Sequence, residues 1–91
     1  MNITLRQLRA FRSVADAASF TLAANNMHLT QSAVSMLVRQ LETEFGMPLF
    51  DRVNRKVLLT EAGRQILPLA RRMLDDLRQV EEGAVDMREL Q

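Results

Sequence analysis

A chain of 91 residues is enough for one small domain and too short for two, and its 47% hydrophobic and 25% charged residues exclude a disordered chain. Cysteine is absent, which excludes disulfides and thiolate metal sites and fits a reducing cytoplasm; no apolar run approaches the roughly 20 residues of a membrane helix. The net charge of +1 divides unevenly: residues 1–59 carry seven Lys/Arg against four Asp/Glu (+3), and residues 60–91 carry five against seven (−2). That asymmetry predicts separate roles for the two parts.

Thr4 and Gln7 have the spacing of a capping box. After them Leu5, Leu8, Phe11, Val14 and Ala15 recur at helical spacing, predicting a first helix over about 5–17, closed at Asp16 and Ser19. Thr21 is placed to cap a short second helix over about 22–27, with Ala23, Ala24 and Met27 on one face. The small alanines permit another helix to approach closely. Thr30 is placed to cap a third helix, stapled by Leu29 and Val34 and continuing through Leu37, Val38, Leu41 and Phe45. Gly46 suits its end, and Pro48 stops continuation.

The helical period is then lost. Residues 49–52 and 56–59 read as two short strands around a tip at Val53, Asn54 and Arg55, without an Asn-Gly type turn to support the hairpin. Thr60 is placed to cap a last helix that runs nearly to the end. Along it Ile66, Ala70, Met73, Leu77, Val80, Ala84 and Met87 alternate spacings of four and three, a heptad seam suited to homodimerisation. Leu67 and Leu74 lie beside the seam, facing the domain's own core. Pro68 is expected to kink this helix, and Gly83 to weaken it.

The expected fold is therefore mostly α: a winged helix-turn-helix of three helices and a two-stranded wing over 1–59, followed by a long linker or dimerisation helix over 60–91. In such an arrangement the third helix enters the major groove of double-stranded DNA by its N-terminal end. Its outward face then carries Gln31, Ser32, Ser35, Met36, Arg39 and Thr43. Gln31 and Ser32 are suited to read base edges, Met36 to touch a thymine methyl and Arg39 to reach a phosphate. At the wing, Arg55 and Lys56 are placed for the minor groove or its phosphates; edge-strand charges against aggregation are the alternative. Arg52 is the less clear member, since Asp51 or Glu42 could hold it in an ion pair. Arg6, Arg9 and Arg12 read as a solvated face.

Enzyme chemistry finds no support. His28 is the single histidine and reads as a turn residue, no second histidine completes a metal site, and no Gly-rich loop cradles a phosphate. No general base accompanies Ser32 or Ser35, and no cofactor is expected. The remaining rival is a protein-interaction module whose tail forms a coiled coil and whose helix-turn-helix merely packs.

Five segments in order carry a resemblance: Ser19-Phe20-Thr21 with Ala23-Ala24; Leu29-Thr30-Gln31-Ser32-Ala33-Val34-Ser35; Leu41-Glu42; Phe45-Gly46-Met47-Pro48-Leu49-Phe50-Asp51-Arg52; and Leu59-Thr60-Glu61-Ala62-Gly63. In these the chain resembles the DNA-binding domain of LysR-type transcriptional regulators, from Leu5 to about Leu90. The resemblance implies regulation of bacterial transcription, a linker helix that pairs antiparallel with a partner's, and room for a tetramer in a full-length protein. It also implies a C-terminal domain that binds a small-molecule effector and is absent from these residues. Carried over, base reading falls on Gln31, Ser32 and Ser35, the wing's minor-groove role on Arg55, and phosphate contact on Thr30 and Arg52. Met36 departs from the family, where arginine or another polar residue is common.

Overall fold

The computed structural model describes residues 1–90 as four helices and one hairpin: α1 (Leu5–Ala17), α2 (Phe20–Met27), α3 (Gln31–Phe45), β1 (Phe50–Val53), β2 (Lys56–Leu59) and α4 (Glu61–Glu89). The helix starts follow from side-chain capping. Thr4 and Gln7 form the expected capping box, Thr30 Oγ1 accepts from the Ala33 N–H at 3.1 Å, and Thr60 Oγ1 from the Gly63 N–H at 3.0 Å. Glu61, the first residue of α4, accepts from Arg64 at 2.7 Å and Gln65 at 3.1 Å, and these bonds, the arginine's foremost, hold its carboxyl below the ordinary range.

α2 corrects the expected start. Its N-cap is Ser19, whose Oγ accepts from the Leu22 N–H at 3.1 Å, not Thr21, which lies exposed inside the helix. Capping by Ser19 brings Phe20 onto the helix, where its ring is buried in the core. Apolar demand on Phe20 thus decides between two competent caps. His28 ends α2 in the left-handed conformation, φ 57°, and Gly46 ends α3 at φ 73°.

The core gathers Leu8, Phe11 and Val14 of α1, Ala23 and Ala24 of α2, and Val34, Val38 and Leu41 of α3. Each fully buried large side chain contributes about 1.5–3 kcal/mol relative to exposure. Phe50 closes the core from the wing side, edge-on to Phe11 with ring centroids 5.4 Å apart and to Phe20 at 5.9 Å.

The hairpin pairs Phe50 with Leu59, Asp51 with Leu58, Arg52 with Val57 and Val53 with Lys56. β1 is thus shifted by one residue from expectation. Leu49 is a fully buried linker whose carbonyl accepts from the Thr60 N–H at 3.0 Å. The loop is only Asn54 and Arg55, both left-handed at φ 52° and 65°. Two consecutive positive φ values are what a two-residue type I′ hairpin turn requires, and here asparagine and arginine supply them without glycine.

α4 packs Gly63, Leu67, Ala70 and Leu74 on the body and runs continuously through Pro68. Beyond Leu77 every described residue is exposed. The molecule is accordingly elongated, with extents of 54 × 26 × 19 Å. No helix among the described residues is long and apolar enough to cross a membrane.

Candidate nucleic-acid interface

α3 divides cleanly into two faces. Val34, Val38 and Leu41 are buried, whereas Gln31, Ser32, Met36 and Arg39 are exposed and Ser35 is half-buried. Gln31 and Ser32 stand in the first turn, and among the described residues their backbone N–H groups have no acceptor within the chain. Thr30 is also exposed, its oxygen committed to the cap. A helix start with free donors and small polar side chains can meet an anion or a base edge.

Farther along, Met36 (58% exposed) and Arg39 share a shallow cleft with Gln40, Thr43 and the N-terminal arm. The arm is tied down there, since the Asn2 N–H donates to Glu44 at 2.8 Å and buried Gln7 donates to Gln40 at 3.3 Å. This tether joins residues 42 and 33 positions apart, so no local spacing shows it. A carboxylate at Glu44 thus limits how far the positive field of Arg39 extends.

The wing contributes a second group. Arg52, Arg55 and Lys56 line one open cleft together with Ser19, Phe20 and Thr21 at the start of α2. The wing cations therefore stand beside the first turn of α2, which the chain order alone did not reveal. Within this group Arg52 differs from the other two. Its guanidinium carbon lies 4.4 Å from the centroid of the Phe20 ring, and neither Asp51 nor Glu42 pairs with it. Glu42 instead accepts from the backbone of Leu49 and Phe50, so the alternative of an ion pair at Arg52 gives way to a cation–π stack.

The dimerisation set is rearranged as well. Ala70, one of the seven expected seam residues, is 2% exposed and buried in the chain's own core. Ile66 and Leu77 are half-buried, and Met73, Val80, Ala84 and Met87 are exposed. Leu69, outside the seven expected residues, joins that row at 59% exposure. The cause is rotational. Gly63, Leu67, Ala70 and Leu74 form one helical stripe against the body, and Ile66, Leu69, Met73 and Val80 form the next stripe around. Among the described residues there is no cluster of three metal-ligating side chains.

This arrangement is shared with known proteins. Residues 5–64 match the family described as bacterial regulatory helix-turn-helix protein, lysR family. The RuBisCO operon transcriptional regulator of Allochromatium vinosum is 51% identical over 82 residues, 90% of this chain and 27% of that protein. The HTH-type transcriptional regulator CfxR of Cupriavidus necator is 52% identical over 81 residues, 89% of this chain and 26% of that protein. The chain thus spans about a quarter of the length of these curated relatives, which are named as regulators and not as enzymes. Among solved structures, an OxyR cysteine mutant from Corynebacterium glutamicum superposes with a TM-score of 0.91 at 35% identity, covering 94% of this chain and 28% of that one. A BenM DNA-binding domain in complex with catB site 1 DNA superposes with a TM-score of 0.88 at 30% identity, covering 93% of this chain and 96% of that one. With its helix pair, wing and long fourth helix, and with its family match over residues 5–64, the chain belongs to the LysR family of bacterial regulatory helix-turn-helix proteins.

Proposed function

We propose that this chain binds double-stranded DNA sequence-specifically as a homodimer and regulates bacterial transcription, with α3 in the major groove and the wing at the minor groove. The observation that carries this reading is the exposed first half of α3, where Gln31, Ser32 and Met36 are free of intramolecular duty. Gln31, Ser32 and Ser35 read base edges, Met36 contacts a thymine methyl, and Thr30 and Arg39 hold phosphates. Arg55 at the hairpin tip, with Lys56 beside it, takes the minor groove. Two further features support the assignment: the likeness to a domain solved with DNA, and the +3 charge of residues 1–59 (seven minus four).

The homodimer reading rests on α4. Its exposed row of Leu69, Met73, Val80 and Met87 is continuous with an apolar groove lined by Ile3, Leu5, Phe45 and Ile66. A helix leaving that much apolar surface uncovered is suited to bury it against a second copy. A dimer places two reading helices on two half-sites. Effector binding, through a further domain as in a longer regulator, and a tetramer belong to the same proposal.

Selection of bound duplexes from a random pool, followed by footprinting and shift assays at several salt concentrations, tests the reading. Two protected half-sites and affinity falling steeply with salt are expected. Gln31→Ala should relax base preference at one position, by about 1–3 kcal/mol for a bidentate contact. Arg55→Ala should weaken all sites and flatten the salt dependence. Binding indifferent to salt, or to both substitutions, would overturn it.

A further inference from the structure

Arg52 occupies a place in the hairpin that its charge does not explain. Side chains on a strand alternate between faces, and directly opposed residues share a face. Phe50 points into the core, so Arg52, two residues on, points the same way, as does its partner Val57. Val53 and Leu58, both 51% exposed, lie on the outer face. Arg52 is therefore on the inner face, toward α2, and its guanidinium stacks 4.4 Å from the centroid of Phe20. Among the described residues no carboxylate pairs with it.

The stack completes a relay across three elements. Phe11 of α1 meets Phe50 of β1, Phe50 meets Phe20 of α2, and Phe20 receives Arg52 from β1 again. From β2, Val57 and Leu59 pack against the core, whereas on β1 Phe50 is the one residue that enters it. A two-stranded ribbon with strands of four residues has little rigidity of its own. Arg52 adds an attachment on β1 itself, opposite Val57 and nearer the two-residue loop than Phe50. A planar guanidinium is suited to this, because it lies flat on an aromatic face while keeping its edge in water. An apolar residue there would expose itself, and a lysine would lose the planar stack.

We propose that Arg52 is a positioning residue for DNA binding: stacked on Phe20, it clamps the wing to the start of α2 and so fixes where Arg55 and Lys56 meet the duplex. This rests on the DNA reading above and goes beyond it, because Arg52 then works through Phe20 and not chiefly through a phosphate of its own. It gives the buried aromatic at the start of α2 a role in wing placement.

The test compares the full chain with its Arg52→Gln, Arg52→Lys and Phe20→Leu variants and the Phe20→Leu/Arg52→Gln double variant, on a duplex selected by the parent. Affinity, its salt dependence and the flanking minor-groove footprint are read, with thermal unfolding run alongside. Phe20→Leu removes no charge, yet it should weaken binding roughly threefold to tenfold. It should also lose the flanking footprint, as Arg52→Gln does, and the double variant should bind no worse than Arg52→Gln alone. Arg52→Lys, which keeps the charge over the ring but loses the planar stack, should fall between the parent and Arg52→Gln. Phe20→Trp, which keeps a ring face, should restore the footprint.

A direct phosphate contact gives the opposite pattern. Phe20→Leu would then leave the footprint intact, and the two substitutions would add; either result overturns the proposal. If Phe20→Leu does not fold, amide exchange at Val53 and Lys56 in the free chain decides: it should quicken in Arg52→Gln, and exchange unchanged from the parent overturns the proposal. A parent chain that binds no duplex overturns the DNA reading, and this proposal with it.

Discussion

Glu42, near the end of α3, reaches past the helix terminus and accepts hydrogen bonds from the backbone N–H of Leu49 at 2.7 Å and of Phe50 at 3.4 Å. Leu49 is fully buried, so its N–H has no water to turn to. One carboxylate therefore sets the angle at which α3 hands the chain to the wing. Glu42→Ala should lower stability by about 1–3 kcal/mol, because a buried donor is left unpaired. Glu42→Gln keeps an acceptor and should lose less. Urea unfolding measures both, and an Ala variant as stable as the parent would contradict the assignment.

Gly63 and Gly83 lie in the same helix and should answer the same substitution with opposite signs. A Cβ on Gly63 would sit 2.3 Å from the Leu49 carbonyl oxygen and 2.9 Å from Leu59 Cδ2, whereas one on Gly83 meets nothing within 4 Å. Gly63→Ala forces α4 off the wing base and should destabilise by about 1–3 kcal/mol or more. Gly83→Ala should stabilise by roughly 0.5–1 kcal/mol through helix propensity alone. Thermal unfolding shifts of the same sign would show that α4 does not press on Leu49.

The cap of α2 separates two neighbouring hydroxyls. Ser19→Ala should cost about 0.5–2 kcal/mol, the usual loss of an N-cap. Thr21→Ala, at an exposed helical position, should stay within about 0.5 kcal/mol of the parent. Amide exchange at Leu22 reports directly, since its N–H is the one that Ser19 holds. Faster exchange on losing Thr21 and not Ser19 would reverse the assignment.

Arg55 holds a backbone conformation that favours glycine, at φ 65°. Arg55→Gly should therefore raise stability by about 0.5–1 kcal/mol while weakening DNA binding. Arg55→Ala shares the second effect but not the first. Paired melting curves and binding isotherms check this. A less stable Gly variant would mean that the guanidinium, and not the turn, governs the hairpin.

Val80 is 67% exposed and far from the core, so Val80→Asp should leave the fold intact while placing an unpaired charge in the seam proposed for the homodimer. Sedimentation equilibrium should find a larger monomer fraction with an unchanged helical spectrum. A variant as dimeric as the parent would move the seam elsewhere. Val80 serves better here than Leu77, whose half-burial mixes folding with assembly.

Local chemistry determined much of this protein without help from the tertiary structure. Thr4, Thr30 and Thr60 cap their helices because the donors they satisfy lie three residues away on the same segment. The third helix showed its two faces because its apolar residues recur at helical spacing along one stripe, leaving Gln31, Ser32 and Met36 on the other side. The tertiary structure decided what depends on residues distant in the chain. Ser19 prevailed over Thr21 because Phe20 had a core to enter, and Arg52 turned from Asp51 and Glu42 to Phe20 because strand alternation pointed it inward. Ala70 left the seam for a similar reason. Spacing can show that a helix has apolar stripes, but only packing against α1 decides which stripe the body takes and which is left exposed.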